Sequence, residues 1–411
     1  MKKRKRSRRQ HSKSKGGSSW LGALTKPAKR DRRAWTFERL EERYLFTAAP
    51  LTGLEGLQTY SVSNSTAEGQ QLIDAIEQMW AAQATTSSSQ SGGGAVTTRS
   101  VPTDPYLNYQ WHLFNVGQVV NPGQLPQELF GVPGQDANVI PAWDLGYTGA
   151  GVNVAVVDSG VQLDHPDLIG NLGPGYDAIR NRPGGGPQGD DPHGTAVAGL
   201  IGATANNGIG GTGVAYGATI VPIRLISAST PEIGTAAFAT AFINALRANG
   251  APIDIYNHSW GPEDAGTSPN ANRGVNGPTM NELITLANSA SRGRNGLGAI
   301  HVWAAGNGAE AYDSAGSDGY VNSRYTIGVG IVDHDGTFAN SDGTTTEYGE
   351  MAPSVLIVAP SASGPTDIIN NFATGSGLFT TDQEPNGYNV PPVGGTDLDI
   401  DTFPDTWYIF P

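Results

Sequence analysis

Two short stretches of the chain carry side chains that could perform acid–base chemistry together. Asp158 ends the apolar run VNVAVVD, and His193 opens the small-residue run HGTAVAGLIGA. A buried carboxylate that orients an imidazole lets the other ring nitrogen take a proton from a hydroxyl nucleophile, as in a Ser-His-Asp charge-relay site. In one known order of that site the Asp comes first, the His second and the Ser last, which predicts a serine far downstream. A plain Asp-Ser-Gly turn and a helix-capping histidine are the structural alternatives.

The elements that must position these residues alternate along the chain. Six runs are predicted as strands: VNVAVVD, ATIVPIRLI, IDIYNHS, AIHVWAA, TIGVGI and SVLIVA. Helical segments of about ten to fifteen residues, such as TAAFATAFINALRANG, separate several of them, which predicts an α/β fold: a doubly wound, mostly parallel sheet with helices on both faces. Ligands bind beyond the carboxyl ends of such strands, where Asp158 and Asn307 both fall. The polar region 361–411 is predicted as loop.

Three further stretches of the sequence carry a resemblance to a known family. They are ANNGIGGTGVAY, YNHSWGPEDAG and HVWAAGNGAEAYDSAGSDGYVNS. Together with the DSG and HGT motifs, and in this order, they resemble the subtilisin-like serine peptidases of the kexin and furin branch over about residues 101 to 360. The resemblance implies a serine endopeptidase in which Asp158 orients His193, His193 is the base, and the amide of Asn307 donates to the oxyanion.

The resemblance also implies an extended substrate site that selects arginine. Ser259, Trp260 and Gly261 match one wall along which the family pairs a peptide, and Ala304 and Gly306 match the opposite wall. Asp264 and Asp318 match the two acids that hold the arginine before the cleaved bond, since a guanidinium pairs well with several carboxylate oxygens. The positions that match acids for a second arginine, four residues before the bond, are the uncharged Phe238 and Asn276. The demand for a polybasic motif is therefore predicted to be relaxed.

Calcium is the cofactor that the resemblance implies, at two sites. The first lies beneath the arginine pocket and matches Asp264, Asp313 and Glu350. The second uses oxygen ligands from separate loops, which calcium tolerates. Its matching positions are the side chains of Asp104, Asp167 and Asn207 and the carbonyls of Thr204, Ile209 and Gly211.

The nucleophile is the part of the pattern that this sequence lacks. Gly-Thr-Ser followed by a small residue, Ala and Pro does not occur in the 411 residues, and the only GTS is at 266–268 in a Pro- and Asn-rich insertion. Three explanations stay open: a truncated or frameshifted gene sequence, a genuine pseudoenzyme, or an unusual nucleophile. The alternative function is therefore a catalytically inactive, calcium-dependent surface module that binds basic peptides without cutting them.

Charge is divided unevenly between the head of the chain and the rest. Residues 1–50 hold 16 of the 25 Lys and Arg but only 4 of the 38 Asp and Glu, so residues 51–411 carry a net charge of −25. An acidic surface repels nucleic acid and attracts basic peptides, which predicts a peptide or protein partner and no nucleic acid. No run approaches the roughly 18 to 20 apolar residues of a transmembrane segment. The absence of Cys excludes disulfides and a thiol nucleophile.

These patterns predict three regions. Residues 1–50 are a basic targeting or disordered segment, residues 51–100 a short helix and a Ser/Gly-rich linker, and residues 101–411 a subtilisin-like peptidase domain that is incomplete at its C-terminus. FERLEERYLFTAAP, at 37–50, resembles a surface-targeting motif of planctomycete-type bacteria. Bacterial export to a secreted or cell-surface location is the expectation.

Overall fold

The computed structural model describes residues 101–120, 130–189, 191–227, 230–231, 233–247, 252–262, 277–309, 313–337, 349–361, 378–382 and 408–409. The predictions for residues 1–50 and 51–100 lie outside these ranges, as do Asp264 and Asn276. Within the described ranges, no helix combines the length and the apolar character needed to cross a membrane.

A single eight-stranded sheet organises the described residues. Its strands in chain order are β1 Asn153–Asp158, β2 Tyr176–Asp177, β3 Arg182–Pro183, β4 Thr219–Arg224, β5 Ile255–His258, β6 Ile300–Ala304, β7 Ile327–Val332 and β8 Val355–Pro360. Their order across the sheet is β3-β2-β4-β1-β5-β6-β7-β8, and every pair is parallel except β2 with β3. The prediction of a mostly parallel sheet is confirmed, with β1 at its centre.

Helices pack on both faces of this sheet at its central strands. The helices are α1 Ile140–Asp144, α2 His193–Gly202, α3 Ala236–Arg247 and α4 Met280–Gly296, together with a 3-10 turn at Leu107–Tyr109. Successive side chains of a strand point to opposite faces. Val154 and Val156 of β1 accordingly pack with Ala198 of α2, whereas Ala155 and Val157 join the core on the α3 and α4 side.

Local sequence explains where the two longer helices lie and end. In α3, Phe238, Phe242 and Leu246 recur every four residues and all are buried, so one apolar stripe faces the sheet. Helix α4 begins with a capping box between Thr279 and Glu282. Its regular turns end before Gly293, where the helix is kinked: Gly293 leaves the helical backbone angles, and Arg294 and Asn295 adopt left-handed ones with φ of 51° and 58°.

The region 361–411 contains short strands that the prediction of loop missed. Thr380–Thr381 forms β9, which pairs antiparallel with β10, Tyr408–Ile409. The hydroxyls of Thr380 and Thr381 donate to the carbonyls of Ala196 and Thr195, both at 2.7 Å. Gly199 leaves the room for this contact, since a Cβ there would collide with the Thr381 hydroxyl. Contact with α2 holds this segment in place. A short polar stretch of sequence does not predict such a contact.

Candidate active site

Asp158 and His193 meet at the carboxyl edge of the sheet. The Nδ1 atom of His193 lies 2.8 Å from Oδ1 of Asp158, and the same oxygen accepts the backbone N–H of Ser159 at 2.7 Å. The Asp158 side chain is 3% exposed and the His193 side chain 46% exposed. The carboxylate is therefore fixed from inside the fold, while the imidazole that it orients remains accessible to another molecule.

The DSG and HGT motifs bring the two residues together through backbone contact. A Cβ at Gly194 would collide with the carbonyl oxygen of Gly160, and Gly160 itself has a φ of +110°, a left-handed value that favours glycine. The hydroxyl of Ser159 accepts the N–H of Gly194 at 2.9 Å. The turn after β1 is thereby hydrogen-bonded to the first turn of α2, which sets the position of His193.

Electrostatics at this pair favour a protonated imidazole. Burial lowers the pKa of His193, but the charge of Asp158, its hydrogen bond and the charge of Asp191 outweigh burial and raise that pKa above its ordinary value. The pair can therefore act as a base whose proton, once taken, is stabilised by the adjacent carboxylate. The catalytic roles of the two residues remain predictions.

Asn307 lies at the same edge of the sheet, in the turn after β6. Strands β1, β5 and β6 are neighbours, so β1 and β6 are about 10 Å apart at a spacing of about 4.8 Å per strand. Asn307 is exposed, and the residue before it, Gly306, has a φ of +113°. Glu350 holds this turn from both sides: its N–H donates to the Gly306 carbonyl at 3.0 Å, and its Oε1 accepts the Gly308 N–H at 3.1 Å.

The predicted substrate walls follow β5 and β6, which pair directly. His258 of β5 is level with Trp303 of β6, so the segments after them leave the sheet side by side. The Trp303 indole N–H donates to the Trp260 carbonyl at 2.6 Å, which ties the first wall to the second. Ser259 accepts from the Asn257 amide at 3.0 Å, and Ala304 is exposed.

One of the two predicted arginine-binding acids is described. A Cβ built on Gly261 would lie 3.2 Å from Oδ2 of Asp318, so this carboxylate borders the first wall. Its other oxygen accepts the backbone N–H of Tyr320 at 2.7 Å. Phe238 is fully buried, with its ring centroid 5.5 Å from that of Trp260, and is part of the core.

Two of the three acids predicted for the first calcium site contact the Asn307 turn. Glu350 is buried and bonds to Gly306 and Gly308, as described above. The N–H of Asp313 donates to the Gly308 carbonyl at 2.9 Å. The structure therefore brings two of the three predicted ligands to one turn. Because Asp264 lies outside the described residues, the complete site stays a prediction.

The residues predicted for the second calcium site converge from separate loops. The Asp104 carboxylate accepts the N–H groups of Asn206 at 2.8 Å and Asn207 at 3.1 Å, and the Asn207 amide nitrogen donates to Asp167 at 2.7 Å. Thr204, Ile209 and Gly211 lie along the same loop. The donor set is rich in oxygen, as calcium requires. Among the described residues no three His, Asp or Glu gather in a metal-binding group, and this set contains only two acids.

Sequence reasoning missed one buried contact next to the pocket. Glu282 is fully buried and its Oε1 accepts the hydroxyl of Tyr320 at 2.8 Å. The T-x-x-E pattern at 279–282 was a readable signal for a capping box. Nothing in the sequence pointed to its second partner, which lies 38 residues further along the chain.

Comparisons with known proteins give the family and the relatives of the chain. Residues 149–396 match the Subtilase family of peptidases. Neuroendocrine convertase 2 from Bos taurus and from Homo sapiens are both 38% identical over 261 residues, which is 62% of this chain and 36% of each relative. Human furin is 37% identical over 261 residues, 28% of its length. The chain thus spans about a third of the curated relatives that it matches.

A solved structure supports the fold on its own. The crystal structure of a serine protease of Aeromonas sobria has a TM-score of 0.54, and the match covers 71% of this chain and 49% of that protein's chain. The two sequences are 22% identical. This likeness concerns the arrangement of strands and helices.

Proposed function

The chain belongs to the subtilase family and its relatives include neuroendocrine convertase 2 and furin, and on that premise we propose that its site hydrolyses peptide bonds after arginine. The 2.8 Å contact between His193 and Asp158 carries the proposal. It joins a half-exposed base to a buried carboxylate, which is the arrangement that hydroxyl activation requires.

In the proposed reaction each residue acts at a stated atom. His193 takes the proton of a serine hydroxyl as its oxygen attacks the peptide carbonyl, and gives that proton to the leaving amine as the C–N bond breaks. Water, deprotonated by His193, then attacks the acyl-serine ester, which releases the carboxylic acid and restores the serine hydroxyl. Asp158 keeps Nδ1 as the donor, so the other ring nitrogen faces the nucleophile. The amide of Asn307 donates to the oxyanion that forms. The 411 residues contain no Gly-Thr-Ser motif followed by a small residue, Ala and Pro, so no serine is assigned here.

Arginine preference rests on the surroundings of Asp318. Its carboxylate borders Gly261, and the Tyr320 N–H fixes one of its oxygens. Asp264 would supply a second carboxylate. The net charge of −25 on residues 51–411 would attract a cationic peptide from solution.

Calcium would support the site without entering the reaction. Asp264, Asp313 and Glu350 would hold one ion beneath the pocket, and the loops around Asp104 and Asp167 would hold the other. When bound, calcium offsets the repulsion between clustered carboxylates and fixes the loops that carry them.

Two assays separate a peptidase from the alternative function, a module that binds basic peptides without cutting them. The first measures binding of a labelled peptide amide with one L-arginine, alongside the same peptide with citrulline or D-arginine. Preference for L-arginine over both supports the pocket; equal binding of all three refutes it. The second treats the protein isolated from its own source with a fluorophosphonate. Labelling indicates a reactive serine, whereas peptide binding without labelling indicates the module.

Location is proposed separately from activity. The basic head and the segment at 37–50 support bacterial export to the surface or the medium. Fractionation of the source cells tests this, and recovery of the protein only from the cell interior would contradict it.

A further inference from the structure

Glu282 is a buried acid whose bonds exceed what its helix needs. It lies in the first turn of α4 and is fully buried. Its Oε2 accepts the N–H of Thr279 at 2.7 Å and the hydroxyl of the same residue at 2.6 Å. Its Oε1 takes no part in the capping box and accepts the hydrogen bond of the Tyr320 hydroxyl at 2.8 Å. A buried carboxylate is costly unless its oxygens are satisfied, and here three donors satisfy it.

Tyr320 connects this acid to the predicted arginine ligand. Its ring is fully buried, with its centroid 5.0 Å from that of Trp303 and 5.4 Å from that of Trp260. Its backbone N–H donates to Oδ1 of Asp318 at 2.7 Å. The same residue is thus anchored at its hydroxyl by Glu282 and orients Asp318 with its amide.

The backbone segments that carry Glu282 and Tyr320 are also in close contact. A Cβ built on Gly277, just before α4, would lie 2.9 Å from the Cα of Gly319. Burial, together with the charge and hydrogen bond of Glu282, raises the pKa of Tyr320 above its ordinary value. The phenol therefore keeps its proton and remains a donor to Glu282.

We propose that Glu282 and Tyr320 form a brace that positions Asp318 and so sets how tightly the pocket binds arginine. Pairing of a guanidinium with a carboxylate depends on orientation, so a loosened Asp318 binds it less well. The inference rests on the proposed function, which makes Asp318 an arginine ligand. Glu282 and Tyr320 are positioning residues in this scheme, because they act on the ligand through Asp318.

The test compares two tyrosines that each lose a buried hydroxyl. Tyr320→Phe removes the donor to Glu282. Tyr256→Phe is the matched control, because Tyr256 is buried in the same core and its hydroxyl donates to the Leu246 carbonyl at 3.2 Å. In the full chain, fluorescence anisotropy gives the Kd of the L-arginine peptide and of its citrulline and D-arginine counterparts, and thermal unfolding gives Tm.

We expect Tyr320→Phe to weaken binding of the L-arginine peptide about tenfold, or about 1.4 kcal/mol. The control should stay within about twofold of the unchanged protein, since the bond that it loses, to the Leu246 carbonyl, involves neither Glu282 nor Asp318. Citrulline binding should not change in either variant. Equal Kd values for the L-arginine peptide in Tyr320→Phe and Tyr256→Phe, at similar losses of Tm, would overturn the brace.

A second variant keeps the test decisive if Tyr320→Phe unfolds. Glu282→Gln removes the charge but keeps the size of the side chain, and it too should weaken L-arginine binding. The double variant should bind no more weakly than Tyr320→Phe alone, because both changes break one link. Additive losses would contradict the link. If the unchanged protein does not prefer L-arginine, the proposed pocket fails together with the brace; if it does and the variants match the control, the brace alone fails.

Discussion

Three buried histidines make the folded protein sensitive to mild acid. His112, His258 and His301 are at most 5% exposed, and burial lowers the pKa of His112 and of His301 to about 3. Burial, with the charge of the neighbouring His301, also lowers the pKa of His258. In the unfolded chain the pKa of each histidine returns to about 6.5. Their contribution to stability is therefore complete above pH 6.5 and is lost as the pH falls toward 3.

The size of the loss follows from linkage. Between pH 7.5 and pH 5.5, a histidine that stays neutral in the fold but gains a proton when unfolded costs about 1.4 kcal/mol of unfolding free energy. His112 and His301 together predict a loss of about 3 kcal/mol, and His258 adds to it. His193 acts in the opposite direction, because its raised pKa stabilises the fold as the pH falls. A loss of this size is a large share of the free energy that holds a domain folded.

Urea denaturation at the two pH values measures this loss directly. His301→Gln is the informative variant, because it removes one titrating group from the stacked pair in which His258 Nε2 and His301 Nδ1 are 3.3 Å apart. Its stability should fall at pH 7.5, but its further loss on going to pH 5.5 should be smaller by about 1.4 kcal/mol. An unfolding free energy that does not change between the two pH values, at constant m, would refute the reasoning.

Two further predictions concern the acid–base pair and the calcium loops. Asp158→Asn should lower the pKa of His193, because it removes the carboxylate charge that outweighs burial; an NMR titration of the imidazole measures this, and an unchanged pKa would show that Asp158 does not set it. Calcium should raise Tm in the unchanged protein and much less in Asp104→Ala, with Asp144→Ala, an acid outside both predicted sites, as the control. An equal rise in all three proteins would place the ion elsewhere.

The central strands of the fold were predictable because they are apolar throughout. All six predicted strands exist, and the spacing of Phe238, Phe242 and Leu246 predicted the buried face of α3. Strands β2, β3, β9 and β10 were not predicted, since each has only two residues and no pattern of its own. Such strands form because neighbouring parts of the fold supply their partners.

The site was predictable where a motif fixes the backbone and unpredictable where two distant side chains meet. DSG and HGT require the close approach of Gly160 and Gly194, so the pairing of Asp158 with His193 follows from them. Family resemblance implied an arginine-binding role for Asp318, whereas its position beside Gly261 comes from the structure. The bond between Glu282 and Tyr320 depends on how α4 packs against a later loop, and neither residue signals it alone.

The attachment of β9 to α2 has a consequence for the order in which the protein matures. The hydroxyls of Thr380 and Thr381 reach carbonyls 184 and 186 residues earlier in the chain, in the helix that begins with His193. Contacts so distant in sequence form slowly and late. A ribosome must therefore release the chain beyond residue 381 before this attachment of α2 can form, which is long after Asp158 and His193 have both been made.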